Sequence, residues 1–119
     1  MNMNIRITVE NDTLSATLDN TRSAHDFAAL LPLTLELDDY GGIEKVSELP
    51  RRLSTEGAPA GVTPAVGDLA YYAPWGNLAI FIEDFSYSRG LVRLGQVQGD
   101  VAPLRRKGRL TVRIEHETR

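Results

Sequence analysis

The sequence contains no cysteine, so no disulfide holds the fold and the redox state of its compartment leaves no mark on it. Nowhere does an apolar run approach the roughly 20 residues that a membrane-spanning helix needs. The segment from Met1 to Ile7 lacks the basic-then-apolar order of a secretory signal. A cytoplasmic protein with no membrane partner is the expectation. Histidine is scarce: His25 and His116 stand far apart, in no His-x-x-x-His or Glu-x-x-His spacing, so no metal and no other cofactor is expected. Gly57 to Gly61 has neither the lysine nor the Ser/Thr of a phosphate-binding loop, and no Gly-x-Gly-x-x-Gly follows a strand, which gives nucleotide binding no support. A serine, a histidine and an acid can be picked out as Ser54, His25 and Asp84, yet no nucleophile-elbow pattern surrounds Ser54.

What remains is enough for one globular domain. With 119 residues, 42% of them apolar and 24% charged, the chain can bury roughly two thirds of its extended surface and needs no covalent staple. Its net charge of -3 is uneven: residues 105–119 carry 6 basic and 2 acidic side chains, against 7 and 14 before them. Arg105, Arg106, Lys107 and Arg109 form a basic run. No aromatic side chain interleaves it to stack on bases, and the acidic remainder repels a phosphate backbone, so no nucleic-acid partner is expected.

Alternation marks most of the strands. Ile5, Ile7 and Val9 alternate with polar residues, and Leu14, Ala16 and Leu18 resume the pattern after Asn11 and Asp12. This predicts a hairpin with Val9 opposite Leu14 and both apolar sets on one face. Ser23 followed by Asp26 reads as the capping box of a short helix that Pro32 stops. Leu33, Leu35 and Leu37 give a third strand ending at Gly41 and Gly42, and a short fourth strand is expected after Ile43. Residues 54–67, rich in Gly and Pro, read as a long loop. Leu69 to Ala73 and Leu78 to Ile82 are apolar on both faces, which requires covering layers on both sides. Leu91 to Val97 and the alternating Leu110, Val112 and Ile114 complete seven or eight strands, with a helical turn or two between residues 100 and 107.

The chain resembles the small cyclophilin-like proteins of bacteria and archaea, a group without an established function. The resemblance rests on Gly41, Gly42, Ile43, Glu44 and Lys45, on the run from Leu53 to Gly61, and above all on Gly67 to Phe81 with its Tyr-Tyr-x-Pro-Trp-Gly-Asn-Leu core. Asp84, Phe85, Tyr87, Ser88 and Gly90 extend it. It implies a mainly β fold: a closed eight-stranded barrel with two short helices, related to the prolyl isomerase cyclophilins. The Phe-His-Arg and Gly-Ser-Gln-Phe-Phe stretches of true cyclophilins are missing, so their catalytic residues have no counterpart here.

The candidate site centres on the Pro74 to Asn77 turn. Trp75 either floors a pocket with Tyr72 and Phe81 or plugs one end of the barrel, and Asn77 either lines that pocket or only forms the turn. Glu44 and Glu56 either converge on the same cleft as an acid/base pair or are solvated loop carboxylates. The Gly/Pro loop is a lid over the cleft or a tight chain crossing. Asp84, Tyr87 and Arg89 lie in a loop that either reaches the pocket mouth or, at Asp84, only caps its own turn. The functional expectation is a module that binds a small molecule or short peptide at the open mouth of the barrel, whose inner wall the two doubly apolar strands form. The alternatives are a prolyl isomerase with Arg51, Arg52 or Arg89 as its cation, and an oligomer-forming domain with an interface at Trp75.

Overall fold

The first two strands already set the face that every later strand must match. The computed structural model describes residues 3–117. Strands β1 (Met3–Val9) and β2 (Asp12–Leu18) form the expected hairpin, but the turn falls on Glu10 and Asn11, with Glu10 at φ 55, and Ile7 rather than Val9 stands opposite Leu14. The register is two residues from the expected one. Because side chains alternate with a period of two, such a slip leaves each on its own face, and Ile5, Ile7, Val9, Leu14, Ala16 and Leu18 are all buried.

Helix α1 (Arg22–Ala28) is capped by Thr21, whose hydroxyl accepts from the Ala24 N–H at 3.1 Å. The residues expected to form a capping box do something else. Ser23 donates to the Ser54 carbonyl at 2.5 Å, and Asp26 accepts from the Ser54 N–H at 2.7 Å, so both tie the helix to the segment after Leu53.

Six further strands close the barrel: β3 (Leu33–Tyr40), β4 (Glu44–Glu48), β6 (Asp68–Tyr72), β7 (Asn77–Phe81), β9 (Leu91–Gln98) and β10 (Leu110–His116). Their order around it is β1-β10-β3-β4-β7-β6-β9-β2, antiparallel throughout. The second expected helix is a four-residue 3₁₀ turn, Ala102–Arg105. His116 pairs with Ile5 as part of β10 and donates from its ring to the Ala28 carbonyl at 3.1 Å. No helix among the described residues is long and apolar enough to cross a membrane.

The long loop carries a two-residue strand, β5 (Gly61–Val62), paired with β8 (Ser88–Arg89). It is a tight crossing: a Cβ on Gly61 would lie 2.4 Å from the Ser88 carbonyl oxygen. Gly90 N–H to Ala60 O, Phe85 N–H to Pro64 O and Val66 N–H to the Asp84 carboxylate fasten the two segments together. This ribbon supplies the outer cover that the doubly apolar strands require. Leu69, Tyr71, Leu78 and Ile80 face the main core, whereas Ala70, Ala79, Phe81 and Leu91 form a second small core on the outside, beneath Val62, Ile43, Val46 and Tyr72.

The three arginines of the basic run are paired within the molecule. Arg105 pairs with Glu83, Arg106 with Glu10 and Asp12, and Arg109 with Glu36 and Asp38. These exposed pairs add little stability, but they commit the guanidinium groups to carboxylates of the chain itself.

Candidate functional site

A depression lies in the outer wall of the barrel beside the small outer core. Ala70 and Ala79 pair across β6 and β7, and larger side chains rise on both sides of them. Tyr72 and Asn77 are cross-strand partners toward one end; Glu44 lies between Tyr40 and Phe81 toward the other. Cross-strand partners share a face, so β3, β4, β7 and β6 all point toward one cavity of about 340 Å³, which the ribbon borders with Phe85, Ser88 and Arg89.

Of the residues singled out in the sequence, Tyr72, Trp75, Asn77, Phe81 and Glu44 line this cavity. Glu56 lies elsewhere, ion-paired with Arg22 at 3.1 Å on an exposed loop. The cavity lies on the outer wall, not at the open mouth of the barrel where the sequence placed it. The reason is the alternation itself: Tyr72, Asn77 and Phe81 are out of phase with Tyr71, Leu78 and Ile80, which fill the interior.

Trp75 is 55% exposed and stops no barrel end. The turn that carries it is fixed from below, with Tyr72 O accepting from Gly76 N–H and Arg52 donating to Ala73 O at 2.9 Å. Its indole stands edge-on to two rings, Tyr72 at 5.3 Å and 86° and Tyr40 at 5.8 Å and 83° between centroids and planes. Asn77, by contrast, is 8% exposed and contributes mainly to the floor.

Glu44 is half-buried among these rings, and burial pushes its carboxyl above the usual carboxylate range. Among the described residues it has no ion-pair partner. Arg89 reaches the same cavity from β8, while Arg52 is spent on the Ala73 carbonyl. The Ser54, His25 and Asp84 set does not assemble: His25 bonds Asn20, Asp84 bonds Val66, and the Ser54 hydroxyl accepts from the Glu56 N–H. Among the described residues no group of three or more His, Asp or Glu side chains is placed to hold a metal ion.

Lys45 points inward and is fully buried, bonded to its cross-strand partner Asp39 and to the carbonyls of Arg106 and Gly108 at 2.6 and 2.9 Å. Tyr40 and Phe85 went unnoticed as site residues. Tyr40 had a signal, since it continues β3 directly opposite Glu44.

The model of the cyclophilin-like family matches residues 7–115. A hypothetical protein of Archaeoglobus fulgidus, known from its solution structure, superposes with a TM-score of 0.72 at 17% sequence identity, over 97% of this chain and 95% of that one. At that identity the likeness concerns the fold alone. No curated protein matches the chain.

Proposed function

The chain belongs to the cyclophilin-like family, and from that premise we propose that it is a binding module whose outer-wall cleft takes a small molecule or a short peptide. The observation that carries this reading is the state of Trp75. A large indole left 55% exposed at the edge of a concavity, with Tyr40 and Phe85 also exposed beside it, keeps apolar area in water that folding alone would bury. Contiguous exposed apolar surface of this kind marks interaction sites. A volume of about 340 Å³ lies at the small end of ligand pockets and suits a metabolite or one or two residues of a peptide.

The chain has a single tryptophan, so indole fluorescence reports on this cleft alone. Titration with metabolite and proline-peptide pools is expected to shift the emission of Trp75. Trp75→Ala is expected to weaken binding about tenfold or more by calorimetry, because a large aromatic side chain that a ligand covers carries much of the contact's free energy. Unchanged affinity in that variant, or no shift with either pool, would remove the reading.

A second reading, prolyl isomerisation, draws on Arg89. Lowering a barrier of about 20 kcal/mol takes an apolar seat and a cation or donor near the amide nitrogen. Arg89 is the one of the three arginines considered that borders the cleft. A protease-coupled assay on a proline peptide at high protein concentration decides between catalysis and binding alone.

A further inference from the structure

Two opposite charges border the cleft without being paired to each other. Glu44 and Arg89 both line it, and neither is within ion-pair distance of any opposite charge among the described residues. Most other surface arginines among the described residues, Arg6, Arg22, Arg93, Arg105, Arg106, Arg109 and Arg113, have a carboxylate partner; Arg51 and Arg52 do not, but neither lines the cleft. The carboxylate is the half-buried member, seated between Tyr40 and Phe81, whereas the guanidinium is exposed on the ribbon.

The rings of Tyr40, Tyr72 and Trp75 line the same cavity as Glu44, and Tyr40 is its cross-strand partner. Tyr40 and Tyr72 both stand nearly perpendicular to Trp75, so the three rings present differently oriented walls rather than one stack. Aromatic faces attract ammonium groups through the ring quadrupole, more strongly once the cation leaves water. A half-buried carboxylate beside them carries a desolvation penalty that a bound cation relieves.

We propose that the cleft selects a zwitterionic ammonium carboxylate, such as an amino acid or an N-methylated derivative, with its ammonium group among Tyr40, Tyr72 and Trp75 against Glu44 and its carboxylate on Arg89. This rests on the binding reading above and gives it a ligand class. The cavity is larger than such a head group, which leaves room for a side chain or a neighbouring residue.

The test uses two isosteres, glycine betaine and 3,3-dimethylbutanoate, which differ in having a quaternary nitrogen or a carbon at the same position. Tetramethylammonium serves as the cation without a carboxylate. Binding is read from Trp75 fluorescence and from the indole N–H resonance in nitrogen-15 spectra, which also show that each variant is folded. Betaine is expected to bind about tenfold or more tighter than the carbon isostere. Glu44→Gln is expected to reduce that preference markedly, leaving the part owed to the rings, and Arg89→Met to reduce betaine to the level of tetramethylammonium. Equal binding of the two isosteres, or a preference undiminished in Glu44→Gln, overturns the proposal. If the isosteres and tetramethylammonium are silent while a peptide or metabolite pool still shifts Trp75, this ligand class is wrong and the binding reading stands. If nothing shifts Trp75, both fall.

Discussion

Gly95→Ala is expected to lower the stability of the protein by about 3 kcal/mol or more, the largest effect of any methyl group added to this chain. Gly95 lies on β9 where β2 crosses closest, opposite Leu18. A Cβ there would sit 2.1 Å from the Thr17 carbonyl oxygen and 2.8 Å from the Leu18 Cα. Both are backbone atoms of the paired strand, so no side chain can swing aside to make room. Relief requires β2 and β9 to separate, and that pair is one of the seams that close the barrel. Urea unfolding followed by circular dichroism is expected to show the midpoint falling by about 1 M or more with the slope unchanged. A midpoint equal to that of the parent protein would mean that the two strands do not approach as described.

Lys45→Met is expected to cost about 2–3 kcal/mol although it preserves most of the side-chain volume. The stem of Lys45 lies in the barrel interior, and its ammonium group satisfies Asp39 together with the Arg106 and Gly108 carbonyls. Removing the cation leaves all three acceptors without it, and the segment leading into β10 loses its anchor to β4. Lys45→Ala is expected to lose more, because the stem goes too and leaves a cavity. The same contact sets an acid dependence. The hydrogen bond from Lys45, and after it the Gly108 N–H, hold the Asp39 carboxyl below the usual carboxylate range. A folded-state pKa below the unfolded one means that the carboxylate's contribution is complete above the unfolded value and fades as pH falls through the lower, folded value. Thermal melts on acidification are expected to show this loss in the parent protein and a flatter profile in Asp39→Asn. Glu44 acts with the opposite sign: its raised pKa gives a contribution present at low pH that is lost as pH rises through the folded value. Glu44→Gln removes that second limb and leaves the first, so the two variants separate the two carboxyls.

The strands and their faces were legible in the sequence because alternation is a local signal. Ile5, Ile7 and Val9 announce an inward face whatever the register, and the two-residue slip of the first hairpin changed no side chain's side. Leu33, Leu35 and Leu37 did the same for β3. The family resemblance supplied barrel closure, which no local pattern encodes. The position of the cleft was hidden for a definite reason: Leu69 to Ala73 and Leu78 to Ile82 are apolar on both faces, so no polar stripe tells the inside from the outside.

In β4 the pattern pointed the wrong way. Val46 is the apolar residue of the segment and Lys45 the charged one, yet Lys45 enters the core and Val46 borders the outer cleft. A lysine is buried only where acceptors meet its ammonium group, and two of those acceptors belong to residues 106 and 108. The basic run before β10 tells the same story, since whether its arginines are free or neutralised depends on Glu10, Glu36 and Glu83, brought close only by barrel closure. Period and punctuation along the chain therefore determined the elements and their faces. The partners of each charge, and the wall that carries the cleft, were decided by contacts between residues distant in sequence, which exist only once the barrel has closed.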